Sequence, residues 1–248
     1  IRAAGSDAMF IPADFTDPTA VRDLASTIRA ETDGLDLLYN NAGALFREGR
    51  CTDLGVERTF HINHLSPFLL TAELLDHLRE GARIVTTASA AHRGTDLDID
   101  RTTRLDDYSG FWAYRHSKLA NVLFASELAR RLDTADRAVA SNSLHPGAVP
   151  GTGFSRFLPG PLPELVTLFD SVPGTTSVAD GAAALLFLGV SPRTAGISGR
   201  YFTGQDPATP SDAARDPSAA RHLWERSADL LGIPEPLSDD GDAGTRAT

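Results

Sequence analysis

The sequence predicts a single α/β domain with a doubly wound, mainly parallel sheet and flanking helices. Three observations point there. Strand-like runs of β-branched and apolar residues alternate with helix-like runs from end to end. Helix signals bracket several of the helical runs at their starts and stops. Three successive strand-like runs end in short segments of small or polar residues, where sheets of this class bind ligands.

The elements are expected in this order. Ala8 to Pro12 reads as a short strand. A helix from about Pro18 to Glu31 has Asp17 as its N-cap and proline in its first turn. Leu35 to Tyr39 is a strand ending in Asn40-Asn41-Ala42-Gly43. A long helical stretch runs from about Gly55 to Leu78, with Gly81 as its stop signal. Arg83 to Ala88 is the next strand, and the Asp-rich residues 93–110 form a surface loop. A helix from about Trp112 to Leu132 leads to a strand from Val139 to Leu144. Residues 146–175 hold six prolines and five glycines among phenylalanines and leucines, the composition of a lid over a site. A helix near Ser177 to Gly189, a strand near Gly199 to Thr203 and a helix from about Pro217 to Leu231 complete the domain. It spans residues 1–236, and the polar tail 237–248 is expected to be disordered.

Composition narrows the function. A net charge of −10 argues against nucleic acid and anionic membrane surfaces, which need basic patches. The strongly apolar stretch Ala182 to Val190 is too short to span a bilayer. The lone cysteine, Cys51, forms no internal disulfide, which fits a reducing cytoplasm. Among 23 basic residues Lys118 is the one lysine. It is a candidate for compact, titratable ammonium chemistry that arginine cannot supply.

Tyr114 and Lys118 stand four apart on a helix, so phenol and ammonium share one face. An ammonium ~5 Å away at effective dielectric ~20 would favour phenolate by roughly 3 kcal/mol, about two pKa units. Such a pair suits the proton transfer that accompanies interconversion of a carbonyl and an alcohol. Ser89 closes the strand at 83–88, where its hydroxyl can bond a substrate oxygen. With Asn41, Ala42 and Gly43 after one strand and Pro146 and Gly147 after another, these residues form one site. Rival signals are weaker. His61 and His64 lack a third metal ligand at telling spacing, so no metal is expected. Ser89 with His92 lacks the G-x-S-x-G elbow of a hydrolase. Phe111 and Trp112 read as helix-entry packing, with an apolar substrate pocket as the alternative. The glycines Gly147, Gly151 and Gly153 have a phosphate-loop spacing, but Pro159, Pro161 and Pro163 forbid the helix such a loop must enter.

The segments Asp36-Leu-Leu-Tyr-Asn-Asn-Ala-Gly43, Ile62-Asn-His-Leu-Ser-Pro-Phe68, Arg83-Ile-Val-Thr-Thr-Ala-Ser89, Tyr114-Arg-His-Ser-Lys-Leu-Ala-Asn121 and His145-Pro-Gly147 resemble the short-chain dehydrogenase/reductase family. The Tyr114 segment, Gly199-Arg-Tyr-Phe202 and Arg221-His-Leu-Trp-Glu-Arg-Ser227 are similar to its retinol dehydrogenase-like branch, which includes the WW-domain oxidoreductase. The resemblance covers about residues 1–232. It implies a Rossmann-like fold, an NAD(P) cofactor and a Tyr acid/base mechanism. Tyr114 would be the acid/base, Lys118 would lower its pKa and bind the nicotinamide ribose, and Ser89 would orient the carbonyl. Asn63 would fix a local helix distortion and a water next to Lys118. Asp14 would contact the adenine, Asn41 to Gly43 would line the cofactor, and Pro146-Gly147 would flank the nicotinamide. The resemblance also implies an alcohol or carbonyl substrate and allows a homodimer, and the phenylalanines of the expected lid suggest that the substrate is small and apolar.

Three departures from the family pattern stand out. Ala88 takes the place of a frequent serine, and the threonine expected about five residues after Pro146 falls at Thr152. The family's TGxxxGxG turn would lie roughly 50 residues before Asp14. The expectation is therefore an N-terminally incomplete chain without the first two strands and the Gly-rich loop, which would pair between Ala8–Pro12 and Leu35–Tyr39. The rival reading is a catalytically inactive fragment or binding module that keeps the site residues without holding a cofactor.

Overall fold

A computed structural model describes Gly5, residues 7–147 and residues 176–238 of the chain. Five strands form one sheet in the order β1 (Leu35–Asn40), β2 (Leu78–Thr87), β3 (Ala140–His145), β4 (Tyr201–Thr203) and β5 (Asp206–Ala208). The first three pairings are parallel, with Asn40 beside Thr86 and Thr87 beside Leu144, and β5 returns antiparallel on β4. The expected α/β architecture is present, with parallel pairing dominant.

Side chains alternate across the sheet, so consecutive residues serve different cores. Ile84 packs with Leu119, Leu123, Phe68 and Phe124 on one face. Its neighbour Val85 packs with Leu144, Ala184, Leu188 and Phe202 on the other. Helix α1 (Pro18–Glu31) starts where the sequence predicts, its Asp17 cap accepting from the Thr19 amide at 2.8 Å. Arg58–Phe60 (α2) and Ser66–Leu74 (α3) flank a π-helical turn at His61–Leu65. The long helix α4 (Gly110–Thr134) covers β2 and β3. Helices α5 (Val178–Val190) and α6 (Pro217–Leu231) complete the described fold.

The π turn has a sequence cause. In an α-helix the amide of Pro67 would bond the Asn63 carbonyl, but proline has no N–H and its ring crowds that carbonyl. The backbone widens instead, and the Ser66 amide bonds the carbonyl of His61, five residues back.

Four expectations are corrected. Ala8 to Pro12 is not a strand, and Met9 and Phe10 are exposed. Strand propensity is realised through pairing, and among the described residues β1 pairs with β2 alone. Gly81 does not end the long helical stretch. It lies inside β2 at a φ of 80°, and its amide donates to the Ala138 carbonyl at 2.6 Å. Helix α4 begins at Gly110, two residues early, because Ser109 caps it by accepting from the Trp112 amide. The last strand continues through a tight return into β5, which alternation alone did not reveal. The expected lid, Thr152, and most of the expected tail lie outside the described residues.

Candidate active site

The carboxyl ends of β1, β2 and β3 converge under the first turns of α4. Asn63, fully buried in the π turn, reaches across to the loop after β1. Its Oδ1 accepts from the Ala44 amide at 2.7 Å, and its Nδ2 donates to the Ala44 carbonyl at 2.9 Å. The same Nδ2 donates to Ser117 Oγ at 2.9 Å, and the Ser117 hydroxyl in turn donates to the Tyr114 carbonyl at 2.8 Å. One amide thus joins the loop after β1 to the turn of α4 that carries Tyr114. Asn63→Ala should cost about 2 kcal/mol of stability, because Ala44 loses both partners in a half-buried place. Urea unfolding of the variant beside the parent measures this.

Lys118 is 3% exposed, and its ammonium donates to the Thr87 carbonyl at 2.9 Å. Asn121 Nδ2 donates to the same carbonyl at 3.0 Å. Burial pulls the Lys118 pKa down to about 8. The Thr87 side chain donates to Asn41 Oδ1 at 2.9 Å, so the ends of β1 and β2 are also joined directly. Gly43 lies against this group. A Cβ there would stand 3.3 Å from both Asn63 Oδ1 and Lys118 Nζ, so the missing side chain lets the backbone pass close to the ammonium.

The Ser89 side chain lies near enough to the Tyr114 phenol to favour its ionised form. The Ser89 hydroxyl also caps the short turn Ala90–His92, accepting from the Ala91 amide at 3.1 Å. Burial pushes the Tyr114 phenol above its ordinary value, and the nearby Ser89 side chain opposes this in part. Lys118 turns its ammonium to the Thr87 carbonyl, 5.7 Å from the centre of the tyrosine ring.

The remaining residues separate into those near this group and those apart from it. Asn41, Ala42 and Gly43 are exposed at the end of β1, and Pro146-Gly147 follows β3. Gly147 has a φ of 100°, and Thr176 fills the space its side chain would take. Asp14 sits outside the hydrogen-bonded group. Its carboxylate accepts from the Thr16 amide and hydroxyl, both at 2.8 Å, which hold its pKa below the usual value. Trp112 stacks on His116, and Arg101 lies over its ring at 4.1 Å, while Phe111 is exposed. His61 and His64 diverge, the first bonding Thr52 and the second Ser227. His92 bonds the main-chain carbonyl of Ser89 and not its hydroxyl, so the two do not form a nucleophile–base pair. Sequence reading missed Ser117 and the Thr87 carbonyl. The first sits inside the Tyr114–Lys118 segment, three residues from Tyr114; main-chain partners such as the second leave no mark in residue type.

A doubly wound sheet with a Ser, Tyr and Lys gathered at its carboxyl edge defines a class of dinucleotide-fold oxidoreductase sites, and the comparisons narrow it. The family model for short chain dehydrogenase matches residues 1–158. The WW domain-containing oxidoreductase of Danio rerio is 37% identical over 234 residues, 89% of this chain and 55% of that protein. Retinol dehydrogenase 13 of Homo sapiens is 35% identical over 236 residues, 90% of this chain and 68% of that one. A short chain dehydrogenase from Burkholderia cenocepacia J2315, solved in complex with NADP, superposes with a TM-score of 0.62 at 26% identity, covering 87% of this chain and 80% of that one. The chain belongs to the short-chain dehydrogenase family, in its retinol dehydrogenase-like branch. It spans about half the length of the Danio rerio relative. Among the described residues no helix is long and apolar enough to cross a membrane.

Proposed function

We propose that this chain carries the reactive centre of a nicotinamide-dependent oxidoreductase that interconverts an apolar alcohol and its carbonyl. The observation that carries this is the Tyr114 phenol flanked by Ser89, beside a buried ammonium at the carboxyl edge of the sheet. The residues present fit the nicotinamide-ribose end of such a cofactor. Lys118 has one hydrogen-bond acceptor among the described residues, which leaves two ammonium donors for ribose hydroxyls. Gly43 opens the backbone beside them, and Asn41, Ala42, Pro146 and Gly147 border the same edge. Asp14 would serve the adenine end.

When bound, the nicotinamide supplies or accepts the hydride. The protein's own groups handle the oxygen. Ser89 donates a hydrogen bond to the carbonyl oxygen as negative charge develops there. Tyr114, neutral at physiological pH by its raised pKa, delivers the proton in the reducing direction. Lys118 fixes the ribose and keeps a positive charge near the developing alkoxide.

A second reading is favoured by one observation. Among the described residues no glycine-rich turn enters a helix to receive a pyrophosphate. Residues 1–248 are therefore expected to bind NADH and NADPH more weakly than the roughly micromolar range at the low end of ordinary cofactor and substrate constants. Isothermal titration of the chain with each cofactor tests this, and a micromolar constant would overturn it. Turnover of apolar aldehydes and ketones, followed by nicotinamide absorbance, tests the oxidoreductase reading itself. A protein that binds the cofactor at this site and reduces none of them would contradict it.

A further inference from the structure

His92 lies outside the Tyr–Lys–Ser group and is fully buried. Its Nδ1 is 2.6 Å from the Ser89 carbonyl oxygen, which also accepts the His92 amide at 3.1 Å. On the other side of the ring, Nε2 accepts from the Ser211 amide at 3.1 Å. A carbonyl accepts and an amide donates, so these two partners fix one neutral tautomer, with the proton on Nδ1. Burial favours the same neutral form, lowering the His92 pKa. Tyr201 from β4 packs edge-on against the ring at 5.0 Å. The loop after β5 is held a second time by Arg93, which donates to the Thr209 carbonyl at 2.6 Å.

Ser89 has two tasks for one hydroxyl: it caps the turn Ala90–His92 and it lies beside the Tyr114 phenol. The position of its oxygen therefore depends on how that turn is held. We infer that His92 is a positioning residue for Ser89: through Nδ1–H it locks the Ser89 carbonyl, and through Nε2 it anchors the turn to the loop at 209–211, aiming the serine hydroxyl at Tyr114 and the substrate oxygen. This rests on the oxidoreductase reading of the site. Arg115 supports the turn from α4 by bonding the carbonyls of Ala91, Arg93 and Gly94. Its described hydrogen bonds go to those three carbonyls, whereas His92 bonds the Ser89 carbonyl directly.

The ring's two nitrogens can be separated by substitution. In His92→Asn the side-chain amide nitrogen lies one bond from Cγ, as Nδ1 does, and can still donate to the Ser89 carbonyl. His92→Gln places its amide one atom further out, where it can serve the Ser211 amide but not Ser89. Each variant loses one buried hydrogen bond, so their stabilities fall together. Misaiming a reacting group by about 1 Å costs on the order of 10²-fold in rate. His92→Gln is expected to lose that much in kcat and in kcat/KM equally, while His92→Asn stays within about threefold. Crystal structures of the two variants supply a readout independent of turnover. The Ser89 hydroxyl should keep its place beside the Tyr114 phenol in His92→Asn and leave it in His92→Gln. Equal turnover in both variants with the serine in place in both would overturn the inference. Ser89→Ala, assayed alongside, separates the two levels. Full activity in Ser89→Ala refutes the reading of the site, whereas a large loss there with none in His92→Gln refutes the role of His92 alone.

Discussion

Tyr114→Phe is expected to lower turnover by on the order of 10³-fold in the catalytically active protein, the middle of the range for removing a general acid. The substitution removes one oxygen and keeps the ring, so the packing of the first turns of α4 is preserved and stability should change by less than about 1 kcal/mol. The loss should fall on kcat and kcat/KM alike, because proton delivery matters in the transition state and not in the bound ground state. Burial holds the phenol above its ordinary value and Ser89 offsets that only in part. A group in that state is a proton donor across the physiological range, which favours carbonyl reduction over alcohol oxidation near neutrality. Oxidation should gain as pH rises toward the phenol's pKa. Steady-state rates in both directions for parent and variant measure all of this. Turnover of Tyr114→Phe within threefold of the parent would remove Tyr114 from its role.

What the sequence revealed of this molecule, and what it concealed, follows from where each signal lives. Caps are local, so Asp17 and Pro18 placed the start of α1 correctly. Buried parallel strands are apolar runs, so β1 and β2 were readable from Leu35 and Arg83 onward. Pairing is not local. Ala8–Pro12 has strand-like residues, yet among the described residues β1 has no partner other than β2. The π turn stood in the sequence as Pro67 four residues after Asn63, a spacing that denies the α-helix one bond. Within the site, residue types and spacing singled out Tyr114, Lys118 and Ser89, and the family resemblance added Asn63. Their electrostatics depend on main-chain atoms instead. The Thr87 carbonyl draws the ammonium to itself, and the Ser89 carbonyl is the partner that makes His92 more than a buried ring.

Lys118→Met should stabilise the fold while removing turnover by at least on the order of 10²-fold, the loss expected when an electrostatic donor is deleted. The lysine side chain is buried, and its pKa falls from an ordinary 10.5 to about 8 with burial as the sole cause. A shift of that size is a folding cost of about 3 kcal/mol near neutral pH. Methionine fills nearly the same volume without a charge, and the Thr87 carbonyl keeps Asn121 as its donor. No buried acceptor is stranded by the change. The expected gain is about 1–3 kcal/mol, the range seen when a buried charge gives way to a packed apolar side chain. The pH dependence identifies the cause. The folded pKa lies below the unfolded one, so between about 8 and 10.5 the unfolded chain holds the proton that the folded chain releases. Stability of the parent therefore rises with pH through that window, and Lys118→Met lacks the rise. The gap between the two proteins should be widest near about pH 7 and mostly closed by about pH 10, with other titrating groups cancelling in the difference. Urea unfolding at both pH values decides it. A variant less stable than the parent at neutral pH, or a gap constant with pH, would mean that the ammonium is not held in the folded protein at the cost its burial implies.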